Sequence, residues 1–407
     1  MNYYPELIAP AGDWACLTSA VKSGADSVYF GVKGLNMRAR ASNFDLMEMP
    51  KIMKFLHDNG KKGYLSLNVL IYDNEINKVK KILDKAKSTG VDAVILWDMA
   101  VLNLAKKMGL EIHLSTQASV SNFEAFSFYA SLGVSKIVLA RECSIKDIKN
   151  ITLKIKEKNI SCGIEVFIHG AMCVGISGRC FMSQYTFGKS ANRGECLQPC
   201  RRLFTIVDAE KEVSFLAGKN FLMSPKDLCG IYFIDRLINL GVSAFKIEGR
   251  ARSSDYVKIA TSVYRRAIDL CLNGDYSDKE KILLEKKLKK VYNRGFSSGF
   301  YDGTPGGKEF SRELKNEYEK IYIGEVVKFY KKISVAEIIL RAGNLNTGDE
   351  ILISGKNTPA EFFKVSEIEK NHKKFSSAVK GEKIAVKISF LARPNDKVFL
   401  WRPVVVV

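Results

Sequence analysis

Four cysteines, Cys173, Cys180, Cys196 and Cys200, fall within one short stretch of a 407-residue chain that holds nine in all. Their separations are 7, 16 and 4 positions, with Gly175, Gly178, Gly188 and Gly194 between them to let the backbone fold back. Four thiolates converging on one metal centre is the simplest chemistry for that density. Zinc prefers two close pairs of the CxxC type, whereas this spacing is wide and irregular. A 4Fe-4S cluster takes four thiolates and tolerates irregular spacing. Iron–sulfur, zinc and thiols with separate roles all remain open on spacing alone, with Cys229 as a substitute for one ligand. Cys16, Cys143, Cys162 and Cys271 read as small core residues. His169 and Cys173 stand four apart and could pair as a cysteine peptidase does. No Asn or Asp orienting group accompanies them, and the other three cysteines would go unexplained.

The bulk numbers set the class. At 46% apolar and 26% charged, the chain reads as an ordinary globular protein with a large core. The opening MNYYPELIAPAG carries Glu6 and does not read as a signal peptide, and no apolar run reaches membrane-spanning length. The expectation is a cytoplasmic protein with reduced thiols and no membrane partner. The net charge of +19 has two readings: a lysine-rich solvated surface, or attraction to a polyanion, nucleic acid first.

These cysteines need a scaffold, and a repeated phrase supplies it. A helical stretch ends in Gly, a polar step follows, then an apolar run, as in SGADSVYFG, TGVDAVILWD and LGVSAFKIEGR. Eight strands are predicted: Glu6–Ile8, Ser27–Phe30, Gly63–Asn68, Ala93–Trp97, Ile112–Thr116, Lys136–Ala140, Ile164–Ile168 and Ala244–Glu248. Eight such units predict an α/β fold, a (β/α)8 TIM-like barrel, over an open doubly wound sheet. About 75 residues separate strands seven and eight, and the cysteines fill the first part of that gap. Loops after barrel strands build the active face, which places the cysteines over the mouth. The predicted division is a barrel over 1–305, with the Cys-rich insertion at about 170–230, a linker at 306–320, and a small all-β barrel over 321–407.

Alternation along the strands selects further residues. Aliphatic side chains of one parity face the helices. Ser66 and Asn68, His113, Ser115 and Gln117, Glu165 and His169, and Lys246 and Glu248 share the other parity and are expected to point inward. A self-satisfied plug, such as a Lys246–Glu165 pair, is the plain reading of any one of them. The whole set converging on one mouth predicts a site. Glu165, His169 and Glu248 are then candidate acids or bases, with Asn68 and Gln117 beside them, and Lys246 and Arg250 are candidate anion holders. Arg38, Arg40, Arg201, Arg202 and Lys286 are the expected phosphate contacts.

The phrases ELIAPAG, GADSVYFG, LSTQAS, VLARE, EVFIHGAMC with SGRC, NRGECLQPCR, MSPKDL and KIEGRARSSDYV occur in this order. Together they resemble the collagenase-like peptidase family U32, over residue 6 to about 300, with a weaker match beyond. Despite its name, several branches of that family are implicated in hydroxylation without molecular oxygen. One makes 5-hydroxyuridine at the tRNA wobble position, apparently from prephenate; one hydroxylates a cytidine of ribosomal RNA. A third, in anaerobic ubiquinone synthesis, carries a 4Fe-4S cluster on four cysteines that match Cys173, Cys180, Cys196 and Cys200. The length and the appended β domain are most similar to the tRNA branch. The resemblance therefore implies an iron–sulfur tRNA uridine hydroxylase with tRNA, prephenate and an electron donor as partners. A collagenase-like peptidase, a ribosomal RNA hydroxylase and an RNA-binding protein with a structural metal such as zinc are the alternatives.

Overall fold

The computed structural model describes residues 4–306 and 316–404, apart from 203, 208–209, 211–213 and 217–222. The expected linker lies mostly outside the described residues, as does part of the Cys-rich insertion.

Eight parallel strands form a closed barrel: β1 (Glu6–Ala11), β2 (Ser27–Phe30), β3 (Lys62–Ser66), β4 (Ala93–Leu96), β5 (Ile112–Leu114), β6 (Lys136–Val138), β7 (Gly163–Ala171) and β8 (Ala244–Ile247). Closure comes from β8, which pairs in parallel with both β1 and β7. Runs such as AVIL in β4 are buried along their whole length, as a strand covered on both faces requires. Side-chain caps start the helices between them: Asp13 accepts from Cys16 N at 2.8 Å, and Ser144 and Asn122 cap theirs in the same way. Gly90 and Gly133, just past two of these helices, sit at φ +72° and +92°, where a Cβ would be strained.

The barrel's lower interior is packed and paired. Lys246 Nζ lies 2.6 Å from Glu165 Oε1, and both side chains are almost wholly buried. Tyr64 donates to Glu6 at 2.5 Å, Lys136 pairs with the other Glu6 oxygen, and the His113 ring lies edge-on to Tyr64 with centroids 4.6 Å apart. Ile8, Tyr29, Tyr64, Ala93, Ile95 and Ala244 fill the remaining space.

Strand β7 departs from simple alternation. Lys246 pairs with Phe167, yet Ile247 pairs with His169, so β7 spends one residue more than its partner there. This is a β-bulge, and it re-aims every side chain beyond it. The nine-residue β7 then runs past the barrel rim, where Asp227–Cys229 pairs with its end in antiparallel register.

The C-terminal part is an antiparallel half-barrel of eight strands, where a small barrel was expected. In chain order these are β9 (Tyr318–Tyr330), β10 (Val335–Leu340), β11 (Glu350–Ser354), β12 (Glu361–Lys364), β13 (Ile368–Lys370), β14 (Lys373–Phe375), β15 (Lys383–Lys387) and β16 (Lys397–Pro403). In space they run β12–β11–β16–β9–β10–β15–β13–β14. The sheet has its own apolar core. It docks on the helix Ser254–Asn273 that follows β8. Lys258 donates to Ala360 O at 2.8 Å and to Glu361 at 2.6 Å, and Lys320 meets Asp255 at 2.8 Å. Leu352, Ala360 and Trp401 join the barrel's buried cluster.

Candidate active site at the barrel mouth

A cavity of about 300 Å³ opens at the C-terminal ends of the strands. Its floor is the top of the barrel interior: Tyr29, Ser66, Asn68, Ser115, Gln117, Phe167 and Lys246. One wall is the insertion, which brings Cys173, Cys180, Cys196 and Cys200 to the same cavity. Arg38, Arg141, Glu248 and Arg250 line the cavity as well. Gly194 lets the insertion press on the loop after β2: a Cβ there would sit 2.0 Å from Asn36 O.

Three of the four thiols accept a backbone N–H from two residues further on. Gly175 N donates to Cys173 Sγ at 3.3 Å, Met182 N to Cys180 Sγ at 3.4 Å, and Gln198 N to Cys196 Sγ at 3.3 Å. An N–H aimed at sulfur favours the thiolate over the thiol. Among the described residues, no three His, Cys, Asp or Glu side chains stand at the spacing of a single metal ion. Burial and the neighbouring thiols raise the Cys180 and Cys200 pKa values. Cys229 does not join them. It is buried behind β7, 3.8 Å from the Tyr264 hydroxyl, and burial pushes its thiol up to about 12.

The arginine cluster is unevenly paired. Arg38 grips Glu248 Oε1 through Nε and Nη2, at 3.1 and 2.7 Å, and Arg141 reaches Oε2 at 3.3 Å. Burial works to raise the Glu248 pKa, but Arg38, Arg141 and Arg250 outweigh it and hold the carboxyl at about 2. Arg250 is 4% exposed, and its Nη1 finds no hydrogen-bond partner among the described residues. Its guanidinium lies 5.9 Å from the Tyr29 ring centroid, and burial pulls its pKa down to about 10. Asn68 donates to Ser115 Oγ at 3.1 Å and to Gln117 Oε1 at 3.4 Å, making an amide-rich patch on the floor.

Several expected residues take other places. His169 does not line the cavity. The bulge turns it outward against Tyr256, Tyr264 and Phe296, with ring centroids 5.3 to 5.8 Å away. Its Nδ1 lies 3.2 Å from the Tyr264 hydroxyl, and burial, helped by the charge of Arg252, lowers its pKa to about 3. It therefore cannot pair with Cys173. Glu165 sits under the floor, bound to Lys246. Arg201 lines the cavity but is tied to Ser224 Oγ, Pro225 O and Met172 O. Arg38 is bound to Glu248, which leaves neither arginine free to meet a phosphate from outside. Arg40 is exposed and lines the cavity, in keeping with its expected place, and Arg202 is exposed and stacked 4.4 Å over Phe187. Lys286 is exposed on the helix Asp278–Lys289, away from the cavity.

Tyr29 and Arg141 are among the lining residues that escaped the alternation argument. Tyr29 sits in SVYF, where Ser27 shares its parity and is the polar signal that could have placed it facing inward. Arg141 lies beyond the end of β6, past the reach of strand parity, although it stands in the phrase VLARE.

The chain is similar to proteins with two kinds of name. It is 44% identical over 401 residues to an uncharacterized protease of Methanocaldococcus jannaschii, covering 97% of this chain and 98% of the relative. It is 39% identical over 403 residues to a protein of Porphyromonas gingivalis named collagenase, covering 97% of each. It is 36% identical over 364 residues to tRNA hydroxylation protein P1 of Bacillus subtilis, covering 86% of this chain and 83% of the relative. The model of peptidase family U32 matches residues 12–311. With that match running through the barrel, the insertion and the cavity they enclose, the chain belongs to peptidase family U32.

Proposed function

We propose that this chain is an iron–sulfur enzyme that hydroxylates a uridine of tRNA without molecular oxygen. Prephenate is the proposed oxygen-donating co-substrate and an electron donor the proposed further partner. The single observation that carries the reading is one cavity lined both by four cysteines and by a cluster of arginines.

The donor set fits a 4Fe-4S cluster on Cys173, Cys180, Cys196 and Cys200. Each thiolate of a cluster binds its own iron, so the four need not crowd round one ion, and N–H donors to sulfur are a recognised means of tuning such clusters. When bound, a cluster on these four cysteines would supply one-electron chemistry at the cavity wall. The protein's own residues do the rest. Arg250, the buried cation that no described residue pairs, would hold a carboxylate-bearing co-substrate, and Lys246, bound through its nitrogen to Glu165, would add positive charge from beneath it. Glu248 stays ionised at any working pH, which suits it to accept a hydrogen bond rather than to move a proton. The Asn68, Ser115 and Gln117 patch offers donors and acceptors to the edge of a base.

The collagenase-named relative supports a peptidase reading, but the cavity does not help it. None of the four histidines, His57, His113, His169 and His372, lines it. Among the described residues it therefore offers no Cys–His or Ser–His pair.

Two measurements test the proposal. Protein purified without oxygen should carry about four irons per chain, and Cys196→Ser should lose them; one zinc and no iron would refute the cluster. In a deletion strain, nucleoside mass spectrometry of tRNA should show loss of 5-hydroxyuridine derivatives. Wild type should restore them and Cys196→Ser should not. Unchanged tRNA alongside loss of a hydroxycytidine in ribosomal RNA would move the substrate to the ribosome.

A further inference from the structure

The insertion shows a second surface on the outer side of its cysteine wall. Met182 and Ser183 line the cavity, while Phe181 and Tyr185 flank them and face away. These two rings are 60% and 84% exposed, with centroids 5.9 Å apart on one turn of the helix Met182–Phe187 and the residue before it. Ile176, on the same insertion, is 67% exposed. Large rings held in water are costly, and a contiguous patch of them marks a binding surface.

The charge around the rings indicates what binds. From Ala171 to Arg202 the sequence holds five cations, Arg179, Lys189, Arg193, Arg201 and Arg202, and one acid, Glu195. Arg179, Lys189 and Arg202 are exposed, and Arg202 lies 4.4 Å over Phe187 at the end of the same helix. Exposed aromatic faces interleaved with arginines and almost free of carboxylates match a single-stranded nucleic acid, whose bases stack while its phosphates meet the cations. An acidic protein would use the cations but has no comparable need for two open rings.

We propose that Phe181 and Tyr185 form a stacking platform for the unpaired bases that flank the target nucleotide, with Arg179, Lys189 and Arg202 holding the backbone. The platform stands one residue from the cavity lining, so a base splayed into the cavity leaves its neighbours beside these rings. This inference rests on the RNA reading of the cavity and adds that the RNA is single-stranded where it is held.

The test is binding by oxygen-free protein, read by fluorescence anisotropy against a short single-stranded oligouridylate, the same sequence in a duplex, and an unmodified tRNA transcript. Phe181→Ala with Tyr185→Ala should weaken single-strand binding about tenfold or more. Its salt dependence should stay unchanged, because no phosphate contact is removed. Phe181→Tyr with Tyr185→Phe should bind as wild type. Arg202→Gln with Lys189→Gln should instead lower the salt slope by roughly 0.7 per lost contact. Wild type that binds RNA while the alanine variant binds equally well would overturn the platform and leave the RNA reading standing. Equal affinity for duplex and single strand would overturn it too. Wild type that binds neither oligonucleotide nor tRNA would overturn both. The rings are exposed, so truncating them should leave the thermal midpoint unchanged, which separates lost binding from lost folding.

Discussion

Two layers of the same barrel treat charge in opposite ways. In the lower interior, Lys246 meets Glu165 and Lys136 meets Glu6, so each buried charge has its counter-charge. One layer higher, cations outnumber acids. Glu248 is shared by two arginines, and Arg250 is buried without an ion pair among the described residues. A paired layer is self-sufficient and seals the barrel. An unpaired one persists because something else completes it. The difference separates plug from site more sharply than residue type does, since Lys246 belongs to the plug through its nitrogen and to the cavity through its surface.

The largest effect should come from breaking the plug. Lys246→Met leaves Glu165 buried and uncompensated, which should cost about 3–5 kcal/mol in urea unfolding. Adding Glu165→Leu should return most of that stability. If the double variant is as unstable as the single, the two charges are not a unit and the comparison fails. Breaking the upper layer should do the reverse. Arg250→Met should leave the unfolding midpoint near wild type or above it, while the affinity for a carboxylate co-substrate such as prephenate, read by calorimetry, drops about ten- to a hundredfold. Unfolding as severe as that of Lys246→Met would make Arg250 structural.

A smaller, pH-dependent effect sharpens the boundary set by the bulge. His169 stays neutral in the fold down to about pH 3, against 6.5 for the free ring. Between those values the unfolded chain binds the extra proton, so stability falls as the pH drops. By pH 5 the loss from this residue should be about 2 kcal/mol. His113, whose pKa burial also lowers, adds to it in the same direction. Comparing Tm at pH 7 and pH 5, His169→Phe should flatten part of that slope. An unaltered slope would mean that His169 does not titrate as its aromatic surroundings require.

The barrel was legible because its strands are apolar runs, most of them preceded by a helix that ends in glycine; all eight appear where periodicity put them, within a few residues. Alternation also picked out Asn68, Gln117, Lys246 and Glu248, which line the cavity; Lys246 lies on β8, while the other three sit just past the ends of β3, β5 and β8, close enough for the parity to carry over. It failed at His169 because alternation assumes one residue per pairing step, and a bulge leaves no mark in composition. Arg201 and Arg38 were read as outward contacts on charge alone, yet carbonyls and Glu248 hold them in place. The β13–β14 hairpin has three-residue strands, with Ile368 buried and all of β14 exposed, too short an apolar pattern to be seen.

The bulge in β7 acts like a reading frame. Everything from His169 to the cysteine wall is positioned by how many residues precede it, not by what they are. Substitutions near Ile168 can be absorbed by repacking, whereas removing that one residue would shift the phase of the strand. His169 would turn back into the mouth and the strand leading to Cys173 would leave on the wrong side. A chain could keep every cysteine, arginine and carboxylate described above and still lose the site through one deletion, so length at this position is itself part of the active site.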